Sequence, residues 1–396
     1  RNAILVRDGS GNVTLNVSLG NHRLAAPDFS PAHFRARGHL LLVSMGMEVL
    51  AIDTLRAVGA VGKPAEAILW RHDLVRPNIT GNVYHTQLQV QKLTHPWGRN
   101  RLTFVNQQNE LVGVTGPLLD SGAYYVDGRT LVCADPLTGE PIWSRDGMPA
   151  GADIFGDGEW IFVAPADGGS ALVFHALDGT EGEPRPSEPL ANRWATWGRH
   201  VLAWKAKTAG AAAGTQGSDN EADDEQAAQL PRDVWLYDAL TGTEIWREQL
   251  PAGSRGTLID DDEVALLQPD GRLVIRSLAG PDLVLEARLS ADDKLRSVYV
   301  LRSQDQYVVA TNRVEATPVN NPLVQVRSIT TGGEVPLVTG QLHAFQRGTG
   351  KASWAAPVAI EGFGFPLDQP RETPVLLFLR QFTPATSQGP RREQTA

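Results

Sequence analysis

One cysteine, Cys133, stands in a chain of 396 residues. It excludes an intrachain disulfide and any cysteine-based zinc set. Cys133 lies in the alternating stretch Leu131-Val-Cys-Ala-Asp135, which predicts a small buried hydrophobe. Long apolar runs are also missing. The richest, from Leu40 to Ile52, is broken by Ser44, Gly46 and Glu48, far short of the ~20 residues that a membrane helix needs. Cationic excess is missing too: 36 Lys and Arg face 45 Asp and Glu, for a net charge of −9. This argues against a nucleic-acid backbone as a partner, since binding one takes clustered cations. Helical periodicity is nearly absent, with no capped apolar stripe lasting more than about two turns. In its place stand 39 Gly and 26 Pro, the residues of turns, in a chain 42% hydrophobic and long enough for a large core.

What is present repeats. Leu131-Val-Cys-Ala-Asp135-Pro-Leu-Thr138-Gly139-Glu-Pro-Ile-Trp143 returns as Val234-Trp-Leu-Tyr-Asp238-Ala-Leu-Thr241-Gly242-Thr-Glu-Ile-Trp246. It returns again as Leu342-His-Ala-Phe-Gln346-Arg-Gly-Thr349-Gly350-Lys-Ala-Ser-Trp354. Each unit predicts a hairpin: a short apolar strand, a Thr-Gly turn, and a second strand with Trp four residues after the Gly. Gly suits a positive φ, and an Asp three residues before the Thr can accept backbone N–H bonds across the turn.

Weaker copies fill the gaps. His175 replaces the Asp and Glu183 the Trp in the copy around Gly179, and Val284 takes the Trp place in the copy around Gly280. Further hairpins are expected near Asp8, Asp53 and Gln107. The turn glycines Gly139, Gly179, Gly242 and Gly280 recur at a spacing near 40 once an acidic insertion at residues 209–230 is set aside. A period near 40 holding four short strands is one blade of a β-propeller. The expected fold is therefore all-β: a propeller of four-stranded blades over residues 1–380, eight blades, with seven as the fallback. Residues 209–230 are expected as a disordered loop, residues 314–339 as a second insertion, and residues 381–396 as a polar tail. Residues 374–380 are expected to close the ring against the N-terminal strand. Both chain ends read as cuts in a longer polypeptide.

The hairpin pattern, Ala/Tyr-x-Asp-x-x-Thr-Gly-x-x-x-Trp, resembles the repeat of quinoprotein-type propellers, the pyrroloquinoline-quinone-like repeat family. That family includes quinoprotein alcohol dehydrogenases and the outer-membrane assembly lipoprotein of the same fold. The residues around Glu361-Gly-Phe-Gly-Phe365 also resemble planctomycete envelope repeat proteins. The resemblance implies that the Trp packs between adjacent blades and that the protein is periplasmic or associated with the cell envelope. Its structural residues are Asp135, Thr138, Gly139, Trp143, Asp238, Thr241, Gly242, Trp246, Thr349, Gly350 and Trp354.

A quinone dehydrogenase of this family implies an adjacent Cys pair and a Glu/Asn/Asp ion site. One cysteine rules out the first, and the second has no match in the sequence. No catalytic, cofactor or metal residue is therefore assigned, and the reading is not an enzyme. The run Asp260-Asp-Asp-Glu263 is read as a solvated turn rather than a cation site. The pairs His22/His33 and His85/His95 lack the spacing of a zinc hydrolase. The expected function is a non-catalytic scaffold that binds a protein partner, or other domains of the same longer chain, as a monomeric domain. A quinone- or metal-dependent oxidoreductase and a carbohydrate-binding propeller are the alternatives. Arg35, Arg37, Arg71, Trp97 and Arg99, in or beside the loop regions at 21–37 and 72–101, are the candidate binding residues, because Arg and Trp dominate interface hot spots.

Overall fold

The computed structural model describes residues 3–7, 13–18, 33–44, 48–59, 66–74, 89–93, 101–105, 111–207, 230–313, 337–367, 376–382 and 393–395. Trp97, Arg99, His22, His85, His95, residues 209–229 and most of residues 314–339 lie outside them.

Six antiparallel four-stranded sheets follow one another, and in each the spatial order of strands is the chain order. The first is His33–Arg37, Leu40–Ser44, Glu48–Asp53 and Ile68–Asp73. The second is Thr115–Leu119, Gly122–Asp127, Thr130–Ala134 and Pro141–Asp146. The third is Asp153–Gly156, Trp160–Ala164, Gly169–His175 and Arg185–Ser187. The fourth is Arg193–Trp197, His200–Ala206, Arg232–Asp238 and Glu244–Leu250. The fifth is Arg255–Ile259, Glu263–Leu267, Arg272–Ser277 and Leu283–Arg288. The sixth is Ser297–Arg302, Gln306–Asn312, Leu337–Gln346 and Val358–Gly364. A three-stranded sheet at Gln89–Leu93, Arg101–Val105 and Leu111–Val112 and two two-stranded sheets, Ala3–Arg7 with Val13–Ser18 and Arg380–Phe382 with Glu393–Thr395, complete the strands. One short α-helix, Thr54–Gly59, and a 3-10 turn at Leu190–Asn192 are present among the described residues.

The chain divides into two compact units. One holds residues 1–95, 99–203 and 236–244; the other holds 96–98, 204–235 and 245–396. In both, the same physics makes the sheets. Second strands such as Trp160–Ala164 and Glu263–Leu267 are buried on both faces. Fourth strands alternate buried and exposed residues, as in Pro141–Asp146, so one face packs and the other meets water. Each core forms between neighbouring sheets. Tyr124, Leu131, Cys133 and Trp143 of the second sheet pack with Ile154, Ile161, Val163 and Phe174 of the third. Ile259, Leu273, Ile275 and Leu285 of the fifth pack with Val298, Tyr307, Val309 and Phe345 of the sixth.

The eight expected hairpins fall on the six four-stranded sheets, the three-stranded sheet and the N-terminal pair. Two expectations are corrected, one at Gln107 and one at Val284. The hairpin near Gln107 is not a blade between the first and second sheets. Trp70 of the first donates from Nε1 to the Pro136 carbonyl of the second at 2.9 Å, which leaves no room for the ~10 Å of an intervening layer. The expected closing segment, residues 374–380, is described from residue 376 on. Leu379 exchanges both backbone hydrogen bonds with Gly364 at the end of the sixth sheet, while Leu376 and Phe378 pack beside Phe365. Within the expected polar tail, Glu393–Thr395 forms a strand. Finally, Leu285 rather than Val284 takes the buried place on the fifth sheet. Ser277 N–H is closed by Asp282 O, and Pro281, not Gly280, stands where other turns have the positive-φ Gly, so a count from Gly280 runs one residue short.

Candidate functional site: the turns that join neighbouring sheets

The repeat motif builds one turn many times. Asp135 Oδ1 accepts from the N–H of Leu137 at 2.7 Å and of Thr138 at 2.9 Å, and Gly139 N–H returns to Asp135 O at φ +74°. Asp238 does the same for Leu240 and Thr241, with Gly242 at φ +71°. At Gln346 the backbone frame persists with Gly350 at φ +67°, and Thr349 Oγ1 donates to the Gln346 side chain at 3.2 Å. Asp53 accepts from Leu55 and Arg56, but there the chain enters the helix at Thr54 instead of turning back at once.

Four turns, at 135–139, 175–179, 277–281 and 346–350, receive a side chain from the preceding sheet, and the turn at 238–242 does not. The donor residue lies three positions after the one whose carbonyl closes the turn: Trp70, Trp143, Trp246 and Leu285. Trp143 is 8% exposed, its Nε1 donates to Ala176 O at 3.1 Å, and its ring lies so close to Gly179 that a Cβ there would sit 2.6 Å away. Trp70 meets Gly139 in the same way, and Trp246 Nε1 donates to Ser277 O at 2.9 Å. The residue two further on clamps the turn. His72 Nε2–H donates to Gly139 O at 2.8 Å, and Arg145 Nε–H donates to Gly179 O at the same distance while its guanidinium lies over Trp143. Trp354 differs: it is half-buried in a bend between Ala352 and the strand that begins at Val358, packed against the cluster of Leu301, Val338 and Phe365.

Ionic contacts join the first hairpins of neighbouring sheets. Arg37 Nε donates to Asp120 Oδ1 at 2.6 Å, and this bond first of all holds the Asp120 carboxyl below its ordinary value. Arg199 contacts Asp157 at 3.8 Å, Glu159 at 3.7 Å and Asp238 at 3.0 Å. Arg302 contacts Asp260 at 2.6 Å, Asp262 at 2.8 Å and Glu263 at 3.1 Å. The run at 260–263 is therefore not merely a solvated turn. Glu263 is buried, also accepts from Tyr307 at 2.8 Å, and needs the cation beside it. Burial acts to lower the Arg302 guanidinium, but the hydrogen bond to Asp262 and the charges of Glu263, Asp260 and Asp262 outweigh it and raise it.

Of the candidate binding residues, Arg37 and Arg71 are engaged in ion pairs, Arg71 with the buried Glu48 at 2.6 Å. Arg35 donates to Phe34 O at 3.2 Å. Sequence reasoning missed Arg302, Arg199 and Arg145. Four consecutive acidic residues ahead of a buried strand were the signal for the first; the other two carry none. It also missed the exposed leucines Leu55, Leu137 and Leu177, each two residues after the Asp or His that opens its turn. Cys133 is fully buried, and burial pushes its thiol up to about 11, the state of a core residue rather than a nucleophile. Among the described residues no group of three His, Cys, Asp or Glu could hold a metal ion, and no helix is long and apolar enough to cross a membrane.

No curated protein matches the chain. Among solved structures it is similar to BamB from Moraxella catarrhalis, at 11% identity over 76% of this chain and 86% of that one, with a TM-score of 0.30. It is similar to the WD40 domain of Neurospora crassa Pan2, at 13% identity over 81% and 78%, with a TM-score of 0.35. It is also similar to hydrazine synthase of Kuenenia stuttgartiensis, at 10% identity over 75% and 77%, with a TM-score of 0.35. The sequence model of the outer membrane protein assembly factor BamB family matches residues 56–356, most of the chain and all of its Trp-bearing turns. Repeated four-stranded sheets locked by those turns are the blades of a β-propeller, and the chain belongs to the BamB family.

Proposed function

We propose that this chain is a non-catalytic propeller module of a cell-envelope protein that works by holding a protein partner, or another domain of its own longer chain. The observation that carries the reading is the family match, since the family is described as an assembly factor. The chemistry on the sheets agrees with it. The acidic turn at Asp260–Glu263 is occupied by Arg302, Glu248 by Arg272 and Arg276, and Asp153 by Arg193, so these charges serve packing. The turn tops meanwhile present Leu137 and Leu177, each more than half exposed, beside polar neighbours, a composition suited to contact with protein.

Chemical cross-linking of the purified chain in an envelope fraction, read by mass spectrometry, tests this. Cross-links from the turns at 135–139 and 175–179 to one protein are expected; recovery of self-links alone overturns it. Incubation with pyrroloquinoline quinone and calcium followed by desalting should leave no retained chromophore, and a stoichiometric one would make the protein an enzyme.

A further inference from the structure

The turns at 135–139, 175–179 and 238–242 belong to three successive sheets of one compact unit. The first two are tied by Trp143 and Arg145, which bond Ala176 O and Gly179 O. The last two are tied by Arg199, which contacts Asp157 and Glu159 of the third sheet and Asp238 of the fourth. Two residues after the Asp or His that opens each turn stands a leucine. Leu137 is 56% exposed, Leu177 67%, and Leu240 is partly exposed. The turn itself does not ask for leucine: the fifth and sixth sheets make it with Ala279 and Gly348 in that place. Trp197, 40% exposed, adds an aromatic ring at the first hairpin of the fourth sheet, the hairpin whose Arg199 O accepts from Ala239 N–H. Exposed apolar side chains repeated at one structural position, with no part in forming that position, mark a contact surface.

The charges beside these leucines have one sign. Residues 135–144, 175–184 and 238–246 contain no Lys or Arg, while Glu140, Asp178, Glu181 and Glu244 are exposed there. The arginines at the margin are already engaged: Arg145 with Gly179 O, Arg185 with Glu183 at 3.5 Å, and Arg199 with its three carboxylates. A second copy of this chain, with its net charge of −9, an anionic lipid surface and a nucleic-acid backbone all bring the wrong sign. We propose that this row of turns docks a cationic amphipathic helix of a protein partner. Its apolar stripe would lie on Leu137, Leu177 and Leu240, and its Lys and Arg would face the acidic residues. Packed sheets lie about 10 Å apart. Two helical turns rise about 11 Å, so apolar residues spaced i, i+7 step from one leucine to the next. The proposal deepens the reading of the chain as an interaction module and rests on it.

The probe is a fluorescein-labelled helical peptide, Leu-Lys-Lys-Leu-Leu-Lys-Leu written twice, titrated with the full chain and read by fluorescence anisotropy. The same peptide with Glu for every Lys is the control and should not bind. Leu137→Ser combined with Leu177→Ser should weaken binding of the lysine peptide about tenfold. Leu283→Ser, at a comparably exposed leucine of the fifth sheet, should change it less than about twofold. Glu140→Lys combined with Glu181→Lys should also weaken it about tenfold, and this pair keeps the test in force if the leucine pair does not fold. Binding of neither peptide, equal binding of both, equal losses at Leu283 and at the leucine pair, or undiminished binding in either double variant would overturn the proposal. Such a failure with cross-linking to a partner intact removes the docking row alone; absence of any partner removes the wider reading.

Discussion

The joint from the second sheet to the third and the joint from the third to the fourth use the same turn and close it differently. At the first, Trp143 fills the wedge, bonds Ala176 O and is covered by Arg145, which itself holds Gly179 O. At the second, Glu183 stands in the place of the indole and pairs with Arg185, two residues on, at 3.5 Å. The turn at Asp238 nevertheless has the geometry of the turn at Asp135. The turn therefore does not need the indole in order to form. Asp, Thr and Gly make it locally, and the ring is a tertiary addition that ties it to the neighbouring sheet.

The contrast can be broken by mutation. Trp143→Ala should cost about 3–5 kcal/mol in urea unfolding, the range for emptying a large aromatic from a core. Glu183→Ala should stay within about 0.5 kcal/mol. Comparable losses for both would mean that the two joints carry similar weight. Arg302→Leu should cost about 3 kcal/mol, because it leaves the buried Glu263 without its cation. A value near zero in thermal unfolding would show that water reaches that carboxylate.

The alkaline limb sharpens the picture at the second sheet. The ordinary thiol value is 9.0, and burial lifts Cys133 to about 11. Below about pH 9 both folded and unfolded chains keep the proton, and stability is flat. Between about 9 and 11 the unfolded chain ionises first, so stability falls. Cys133→Ala should flatten that part of the profile, leaving the decline due to tyrosines such as Tyr125, which burial holds up at about 12. Asp135→Ala should cost about 1 kcal/mol for two lost backbone hydrogen bonds in a turn that keeps its Gly, read as a small shift in the urea midpoint.

The turns were legible because they are local. Asp135, Thr138 and Gly139 speak to one another within five residues, and so do Asp238, Thr241 and Gly242. The destination of each Trp was legible only as a resemblance, because the partner of Trp143 is Gly179 and that of Trp70 is Gly139, across stretches of chain whose length varies. The misplacement at Val284 shows the weakness of a marker residue. Gly280 does not lie in the positive-φ place that Gly242 occupies, and Pro281 does the turning. The acidic run at 260–263 looked solvated since its cation, Arg302, arrives from the next sheet. The open joint was visible as Glu183 standing for Trp. That Glu183 pairs with Arg185 shows only in the structure.

The direct contact between Trp70 and the Pro136–Gly139 turn has a consequence for how such a chain can grow. The polypeptide between those two sheets leaves and returns without separating them, so additional length there enters only as loop closure. Doubling such a loop costs about 0.6 kcal/mol. Sequence can thus accumulate at that seam, and acquire strands of its own, as at Gln89–Leu93 and Arg101–Val105, while the indole keeps the flanking blades in register.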